Sequence, residues 1–242
     1  MLLFLHGFLG SKEDWDPLFS HLPTSFEKQA IDLPGHGTTP FHPDIVETVH
    51  EMAQKIGATS LVGYSAGGRI ALALKEKYPE SYGRIFILSA NIQQEGEKRL
   101  VFDREWTRKL REEPFDVFLE AWYSQPLFAD LQKHPAFPAM LERRKQGNPS
   151  NLARFLEIFS PARKKAPEIS QETIFLFGNK DLKYAQLYRR LDPSLHVFEV
   201  LEANHAIHVE NPACCAEIIM GALDDDAKAS HSLGRSENLP RH

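Results

Sequence analysis

The chain has 242 residues, of which 42% are hydrophobic and 25% are charged, and its formal net charge is −5 at pH 7. This composition is typical of one large globular domain or two small ones, and it excludes a disordered or collagen-like chain. The negative charge argues against non-specific nucleic-acid binding, because neutralising phosphates requires a basic surface. The two cysteines, Cys214 and Cys215, are sequence neighbours and poorly placed for an unstrained disulfide, which fits a reducing compartment.

Residues 1–5 form an apolar run that we interpret as a buried strand. A secretory signal would begin with a basic segment and continue for longer, whereas His6 and Gly7 end this run early. No apolar run approaches the roughly 18 residues of a membrane-spanning helix. We therefore expect a cytoplasmic protein that does not insert into membranes.

Short β-branched or aromatic runs alternate with amphipathic stretches over much of the chain. This alternation predicts an α/β fold with a short, mostly parallel sheet and helices on both faces. Helices are predicted over residues 44–56, whose apolar residues have helical spacing, and over residues 70–78, which Pro79 ends. In chain order, strands are predicted near residues 2–5, 28–32, 60–63, 85–89, 174–178 and 196–201.

The strand pattern stops between Ser89 and Ile174, where helical pattern punctuated by prolines replaces it. We interpret residues 92–165 as a helical cap inserted into an α/β core made of residues 1–91 and 166–223. The cap carries 14 Lys and Arg residues against 11 Asp and Glu, so it is the cationic part of the chain. Residues 224–242 form a polar tail that we predict to be disordered.

The motif Gly63-Tyr64-Ser65-Ala66-Gly67 follows a predicted strand and opens a helix. In this context G-x-S-x-G predicts a nucleophile elbow, a turn so sharp that the serine hydroxyl points out of the top of the sheet. The alternative is a turn of small residues that only packs a helix against a strand. The strand-turn-helix setting favours the elbow, with Ser65 as the reactive residue.

A serine hydroxyl near neutral pH needs a base, and the base needs an orienting carboxylate. Asp181 and His205 each follow a predicted strand, in the chain order that this architecture uses, at the strand ends where sites of α/β sheets are built. Asp32 and His208 compete for these roles, although Asp32 precedes the elbow in what reads as a structural turn. We expect no metal site, because no carboxylate or thiolate cluster completes a coordination sphere.

A glycine-containing loop follows the first predicted strand, in Leu5-His6-Gly7-Phe8-Leu9-Gly10. The backbone N–H groups of Phe8 and Ala66 are candidates for an oxyanion hole, a pair of donors aimed at the place where negative charge develops. The alternative is a plain glycine turn.

The order of these motifs resembles the α/β-hydrolase superfamily, and a narrower resemblance, to the MenH family, covers residues 1 to about 222. The tryptophan-tyrosine element of the cap is more specific than the elbow, because generic esterases have no reason to share cap sequence. The matching segments are residues 61–69 (LVGYSAGGR), 103–106 (DREW), 113–114 (EP), 121–128 (AWYSQPLF) and 205–212 (HAIHVENP).

The resemblance implies a 2-succinyl-6-hydroxy-2,4-cyclohexadiene-1-carboxylate (SHCHC) synthase, a lyase of menaquinone biosynthesis that eliminates pyruvate without a cofactor or metal. It implies that Ser65, Asp181 and His205 form a catalytic triad. The implied substrate-binding residues are Tyr64, Arg69, Arg99, Trp122 and Arg144. Neighbouring arginines remain alternatives: Arg104 and Arg108 for Arg99, and Arg143 for Arg144.

The implied partner is a small cyclohexene with several carboxylates, and arginine binds carboxylates through paired, charge-assisted hydrogen bonds. Trp122, Tyr123 and Phe128 are, by composition, more often cap core than ligand wall. Two other functions stay open: a serine esterase or thioesterase that uses the same triad for acyl transfer, and a non-catalytic ligand receptor on the same fold. We expect a monomer or a weak homo-oligomer.

Overall fold

Six parallel strands form one sheet in the computed structural model, which describes residues 1–163 and 166–236. The strand order across the sheet is β2-β1-β3-β4-β5-β6, so the predicted α/β class is confirmed and the sheet is parallel throughout. Each predicted strand is present to within one residue at either end. The strands are β1 (Leu2–Leu5), β2 (Lys28–Ile31), β3 (Ser60–Tyr64), β4 (Ile85–Leu88), β5 (Thr173–Gly178) and β6 (His196–Val200).

Helices connect the strands, and local signals explain where several of them begin and end. The Asp44 side chain caps α2 by accepting a hydrogen bond from Glu47 N, and Gly57 ends it in the left-handed conformation. The helix predicted from residue 70 begins earlier, at Ala66, because it starts directly after the turn that holds Ser65. The helices are α1 (Asp16–Phe19), α2 (Ile45–Ile56), α3 (Ala66–Lys77), α4 (Glu97–Glu112), α5 (Phe115–Tyr123), α6 (Phe137–Lys145), α7 (Pro149–Ile158), α8 (Leu182–Tyr188), α9 (Ile207–Glu210) and α10 (Pro212–Ser236).

Both faces of the sheet are covered by helices. Successive side chains of a strand point to opposite faces. Leu3 and Leu5 of β1 therefore belong to the hydrophobic cluster that includes residues of α2, α3 and α8, whereas Phe4 belongs to the one that includes residues of α1 and α10. The strands in the middle of the sheet are buried on both sides, which accounts for their uninterrupted apolar sequences.

Helices α4 to α7 lie between β4 and β5, and the described part of residues 92–165 contains no strand. The division into a core and a cap stays a prediction. The last helix continues to Ser236, beyond the boundary at residue 223 that we drew from the sequence. Disorder of residues 224–242 also stays a prediction, and residues 237–242 lie outside the described part of the chain. Among the described residues, no helix is both long and apolar enough to span a membrane.

Candidate active site

Ser65 occupies a strained turn between β3 and α3. Its backbone has φ 51° and ψ −108°, a conformation that costs a non-glycine residue about 1–3 kcal/mol. The glycines on either side are required by close packing: a Cβ on Gly67 would overlap the carbonyl oxygen of Leu5, and one on Gly63 would overlap the backbone of Gly67. The G-x-S-x-G pattern therefore has a steric basis here, and the turn places Ser65 at the wall of a cavity.

His205 and Asp181 form a buried pair on the loops that follow β6 and β5. Nδ1 of His205 lies 2.8 Å from Oδ2 of Asp181, and both residues are at most 3% exposed. The other carboxylate oxygen of Asp181 accepts a hydrogen bond from Tyr184 N at 3.2 Å and caps α8, which fixes its orientation. A proton held on Nδ1 makes Nε2 the nitrogen that can accept another proton. His205 lines the same cavity as Ser65.

The loop after β1 carries Phe8, one of the two predicted oxyanion donors. Phe8 and Ala66 both line the cavity, and Ala66 is the first residue of α3, so its N–H has no acceptor within the helix. Neither N–H donates a hydrogen bond to another group in the described part of the chain. Both residues that carry the predicted oxyanion donors therefore line the cavity that holds Ser65, and the role of their N–H groups stays a prediction.

Two buried histidines hold this loop in place. Nε2 of His6 accepts a hydrogen bond from Leu33 N at 2.9 Å, and its Nδ1 lies 2.7 Å from the carbonyl oxygen of Gly7. Nε2 of His36 accepts from Leu9 N at 3.2 Å. Burial lowers the pKa of both imidazoles, which favours the neutral rings that these accepted bonds require. These supporting roles were not predicted from the sequence.

Asp32, the competing carboxylate, has a structural role. Its oxygens accept hydrogen bonds from Lys12 N at 2.9 Å and Thr38 N at 3.2 Å, and so they tie the turn after β2 to the loop after β1. Asp181, not Asp32, is the carboxylate that contacts His205.

His208, the competing histidine, lines the cavity but pairs with no carboxylate of the described residues. Its ring packs 4.6 Å from that of Trp15 and 4.3 Å from that of Tyr64, centroid to centroid, and Nδ1 has no hydrogen-bond partner. Burial lowers the pKa of His208 to about 3, so the ring is neutral at physiological pH. No group of three or more metal-ligating side chains is found among the described residues.

The cavity has a volume of about 300 Å³ and lies between the sheet and the helices of residues 92–165. All of the predicted site residues line this cavity except Asp181, which contacts Nδ1 of His205 but does not line the cavity. The predicted site residues that line the cavity are Phe8, Tyr64, Ser65, Ala66, Arg69, Arg99, Trp122, Arg144 and His205. Asp14, Tyr123, Lys183 and His208 are among the further lining residues that were not predicted as site residues.

Arg69 projects from the elbow helix α3 into this cavity. Its guanidinium packs over the Phe159 ring, 4.9 Å from the ring centroid. Burial and the nearby charge of Arg99 lower the pKa of Arg69 to about 10, so it stays protonated at neutral pH. Among the described residues, no carboxylate forms an ion pair with it. A half-buried cation of this kind is well suited to bind an anionic ligand.

Arg99 lines the cavity, whereas its two alternatives do not. Nε of Arg99 lies 2.8 Å from Oδ1 of Asp103, one helical turn away. Arg108 is paired with two glutamates on the exposed side of α4, and Arg104 borders a different, smaller cavity.

Of the adjacent residues Arg143 and Arg144, Arg144 lines the cavity, but Asp14 already compensates its charge. It is 5% exposed, its Nη1 donates to Oδ1 of Asp14 at 2.9 Å, its Nη2 to Oδ2, and its Nε to the Tyr123 hydroxyl at 3.1 Å. The pair raises the pKa of Arg144, and it lowers that of Asp14 to about 2 although burial acts in the opposite direction. Arg143 contacts the same carboxylate from a position that is 34% exposed.

Aromatic rings complete the wall. Tyr64 lies 5.3 Å from the His205 ring, and burial raises its pKa, so its hydroxyl stays protonated. Trp122 packs against Phe8 at 5.1 Å and against Trp106 at 4.9 Å. Trp122 thus belongs both to the packing of the helical segment and to the wall of the cavity.

Comparisons with known proteins agree with this architecture. The profile of the alpha/beta hydrolase family matches residues 2–217. The chain is 31% identical to the SHCHC synthase of Yersinia pseudotuberculosis serotype O:1b (strain IP 31758), over 93% of this chain and 88% of that protein. Among solved structures, MenH from S. aureus has a TM-score of 0.83 at 23% identity, covering 93% of this chain and 94% of that one. A thermophilic esterase from Thermogutta terrifontis has a TM-score of 0.76 at 17% identity, covering 93% and 89% of the two chains.

Proposed function

The chain belongs to the alpha/beta hydrolase family and is an enzyme, and we propose that it is a lyase that eliminates pyruvate from 2-succinyl-5-enolpyruvyl-6-hydroxy-3-cyclohexene-1-carboxylate to give SHCHC. The observation that carries this proposal is one cavity lined by Ser65, by His205, which Asp181 contacts, and by Arg69, which has no carboxylate partner in the described part of the chain. A base and a half-buried cation in one cavity suit a substrate that has an acidic C–H bond and several carboxylates. The relative from Yersinia that covers most of the chain bears the name of this activity.

The reaction begins with proton removal at ring carbon 2, next to the succinyl ketone. His205, held by Asp181, accepts the Ser65 hydroxyl proton as Ser65 Oγ takes the proton from carbon. The N–H groups of Phe8 and Ala66 stabilise the negative charge that develops on the ketone oxygen. The serine acts here as a base, and no acyl-enzyme forms.

Elimination completes the reaction. The electron pair from the broken C–H bond forms a double bond between carbons 2 and 3 and shifts the existing one to carbons 4 and 5. The bond between carbon 5 and oxygen then breaks, and enolpyruvate leaves and becomes pyruvate on protonation at carbon. One pyruvate and one ring diene are therefore produced for each substrate.

We propose that residues 92–165 act as a cap over this chemistry. Trp122, Arg99 and Arg144 come from that segment, whereas Ser65 and His205 come from the sheet side, and all five line the cavity. Substrate recognition is thus divided between the two parts. The cytoplasmic location, the independence of any cofactor or metal and the monomeric or weakly oligomeric state remain predictions from the sequence.

A serine esterase is the second candidate, because the same triad and oxyanion donors serve acyl transfer and the Thermogutta protein with this fold is named an esterase. The test supplies the enolpyruvyl cyclohexene and follows pyruvate together with diene absorbance. The lyase produces both in a 1:1 ratio, and Ser65→Ala lowers kcat by about 10² to 10⁴. A burst of product from an activated ester with covalent labelling of Ser65, and no pyruvate, would establish the esterase instead.

A further inference from the structure

Lys183 lies at the rim of the catalytic cavity, two residues after Asp181. It is in the first turn of α8 and lines the cavity, while 59% of its side chain is exposed. Its ammonium group is 5.5 Å from the centroid of the Tyr184 ring. Lysine has a flexible four-carbon stem, so this exposed side chain can reach a molecule that is bound in the cavity.

Four cationic side chains line the cavity, and they differ in how closely a carboxylate of the protein neutralises their charge. They are Arg69, Arg99, Arg144 and Lys183. Arg144 has two contacts with Asp14, and Arg99 has a close contact with Asp103. Arg69 has no carboxylate partner among the described residues. The ion pair of Lys183, with Glu95, spans 3.8 Å, which is too long for a hydrogen bond. Lys183 and Arg69 are thus the cations with the most capacity left for a ligand.

Glu95 shows where a carboxylate fits at the rim. Its side chain, in the loop before α4, lies 3.5 Å from Nη1 of Arg99 and 3.8 Å from Nζ of Lys183. One carboxylate thus lies between two cations that line the cavity. A second carboxylate that approaches the same cations would compete with Glu95 for them.

We propose that Lys183 binds a carboxylate of the substrate at the rim of the cavity, in competition with Glu95. This inference rests on the proposed function for the identity of the substrate, a ring with several carboxylates. Lys183 lies at the exposed rim of the cavity and takes no part in the proposed proton transfer, so we expect its contact to be equally strong in the bound substrate and in the transition state. Such uniform binding changes KM and leaves kcat almost unchanged.

The kinetic test compares Lys183→Met with Lys180→Met, a matched control in the same loop. Lys180 pairs with Glu202 at 3.0 Å and does not line the cavity. We expect Lys183→Met to raise KM about fivefold, equivalent to about 1 kcal/mol, with kcat within about twofold. Lys183→Arg keeps KM near the wild-type value, and the effect of Lys183→Met shrinks at high salt because the contact is screened. The inference is overturned if both methionine variants have the same KM, or if kcat falls while KM does not change.

A binding measurement separates this inference from the proposed function. Calorimetric titration with benzene-1,3,5-tricarboxylate needs no turnover: Lys183→Met should raise Kd about fivefold, and Glu95→Gln should lower it. A wild-type protein that binds the tricarboxylate in this way but releases no pyruvate refutes the proposed function and supports the role of Lys183. Equal Kd values for wild type and Lys183→Met, or no binding by the wild type, overturn the role of Lys183 whatever the pyruvate assay shows.

Discussion

Asp14→Asn is expected to destabilise the fold strongly, because it removes the countercharge of a buried guanidinium. Asp14 is 3% exposed and Arg144 5%, and the two side chains share two hydrogen bonds. Asparagine has nearly the same size as aspartate but is neutral. Arg144 would keep its hydrogen bond to Tyr123 and its full positive charge in a buried position, where an uncompensated charge is costly.

The expected loss is about 3 kcal/mol of unfolding free energy. Although burial alone would raise the pKa of Asp14, Arg144 lowers it from 3.8 to about 2, and at about 1.4 kcal/mol per tenfold change in acidity this corresponds to about 2.5 kcal/mol. Leaving the partner charge buried and unpaired brings the usual cost to about 3–5 kcal/mol. Because the pKa of Asp14 is lower in the folded protein, its contribution is complete above about pH 4 and is lost as the pH falls through about 2.

Urea unfolding at pH 7, followed by circular dichroism and tryptophan fluorescence, measures this loss. Arg143→Met is the matched control, because Arg143 contacts the same carboxylate but is 34% exposed, and its removal should cost less than about 1 kcal/mol. Adding Arg144→Met to Asp14→Asn should restore part of the stability, since it removes the unpaired charge. If Asp14→Asn costs no more than Arg143→Met, or if its cost is the same at pH 2 and pH 7, the reasoning is refuted.

Three further predictions concern the site. Asp181→Asn should lower kcat for pyruvate release by about 10³ to 10⁴, because His205 loses the carboxylate that orients it; a kcat within tenfold of wild type in a folded variant would contradict this. Arg69→Met should raise KM about tenfold, because it removes a cation from the wall of the cavity; a KM equal to that of the wild type would contradict this. His208→Phe should reduce the loss of unfolding free energy between pH 6.5 and pH 4, because the low pKa of the buried ring makes the unfolded wild type bind more protons over that range; an unchanged pH slope would count against it.

The sequence alone was sufficient to predict the strands of the sheet and the residues at their ends. Strands β1 to β6 are short apolar runs that end in turn residues, and a parallel sheet buried on both faces requires that pattern. The nucleophile elbow could be predicted for a similar local reason, since Gly63 and Gly67 leave room for the tight turn around Ser65. The pairing of His205 with Asp181 followed from their positions after neighbouring strands β6 and β5.

Tertiary structure alone decided how the charges of the cavity are distributed. Asp14 meets Arg144 across 130 positions of sequence, and Lys183 meets Glu95 between α8 and the loop before α4. Secondary-structure patterns arise from contacts between residues a few positions apart, so they leave a trace in the periodicity of the chain. An ion pair between distant segments leaves no such trace, because it depends on how the helical segment packs over the sheet. The sequence therefore determined which chemical groups stand at the strand ends, and the packing of that segment determined which cations remain available to a substrate.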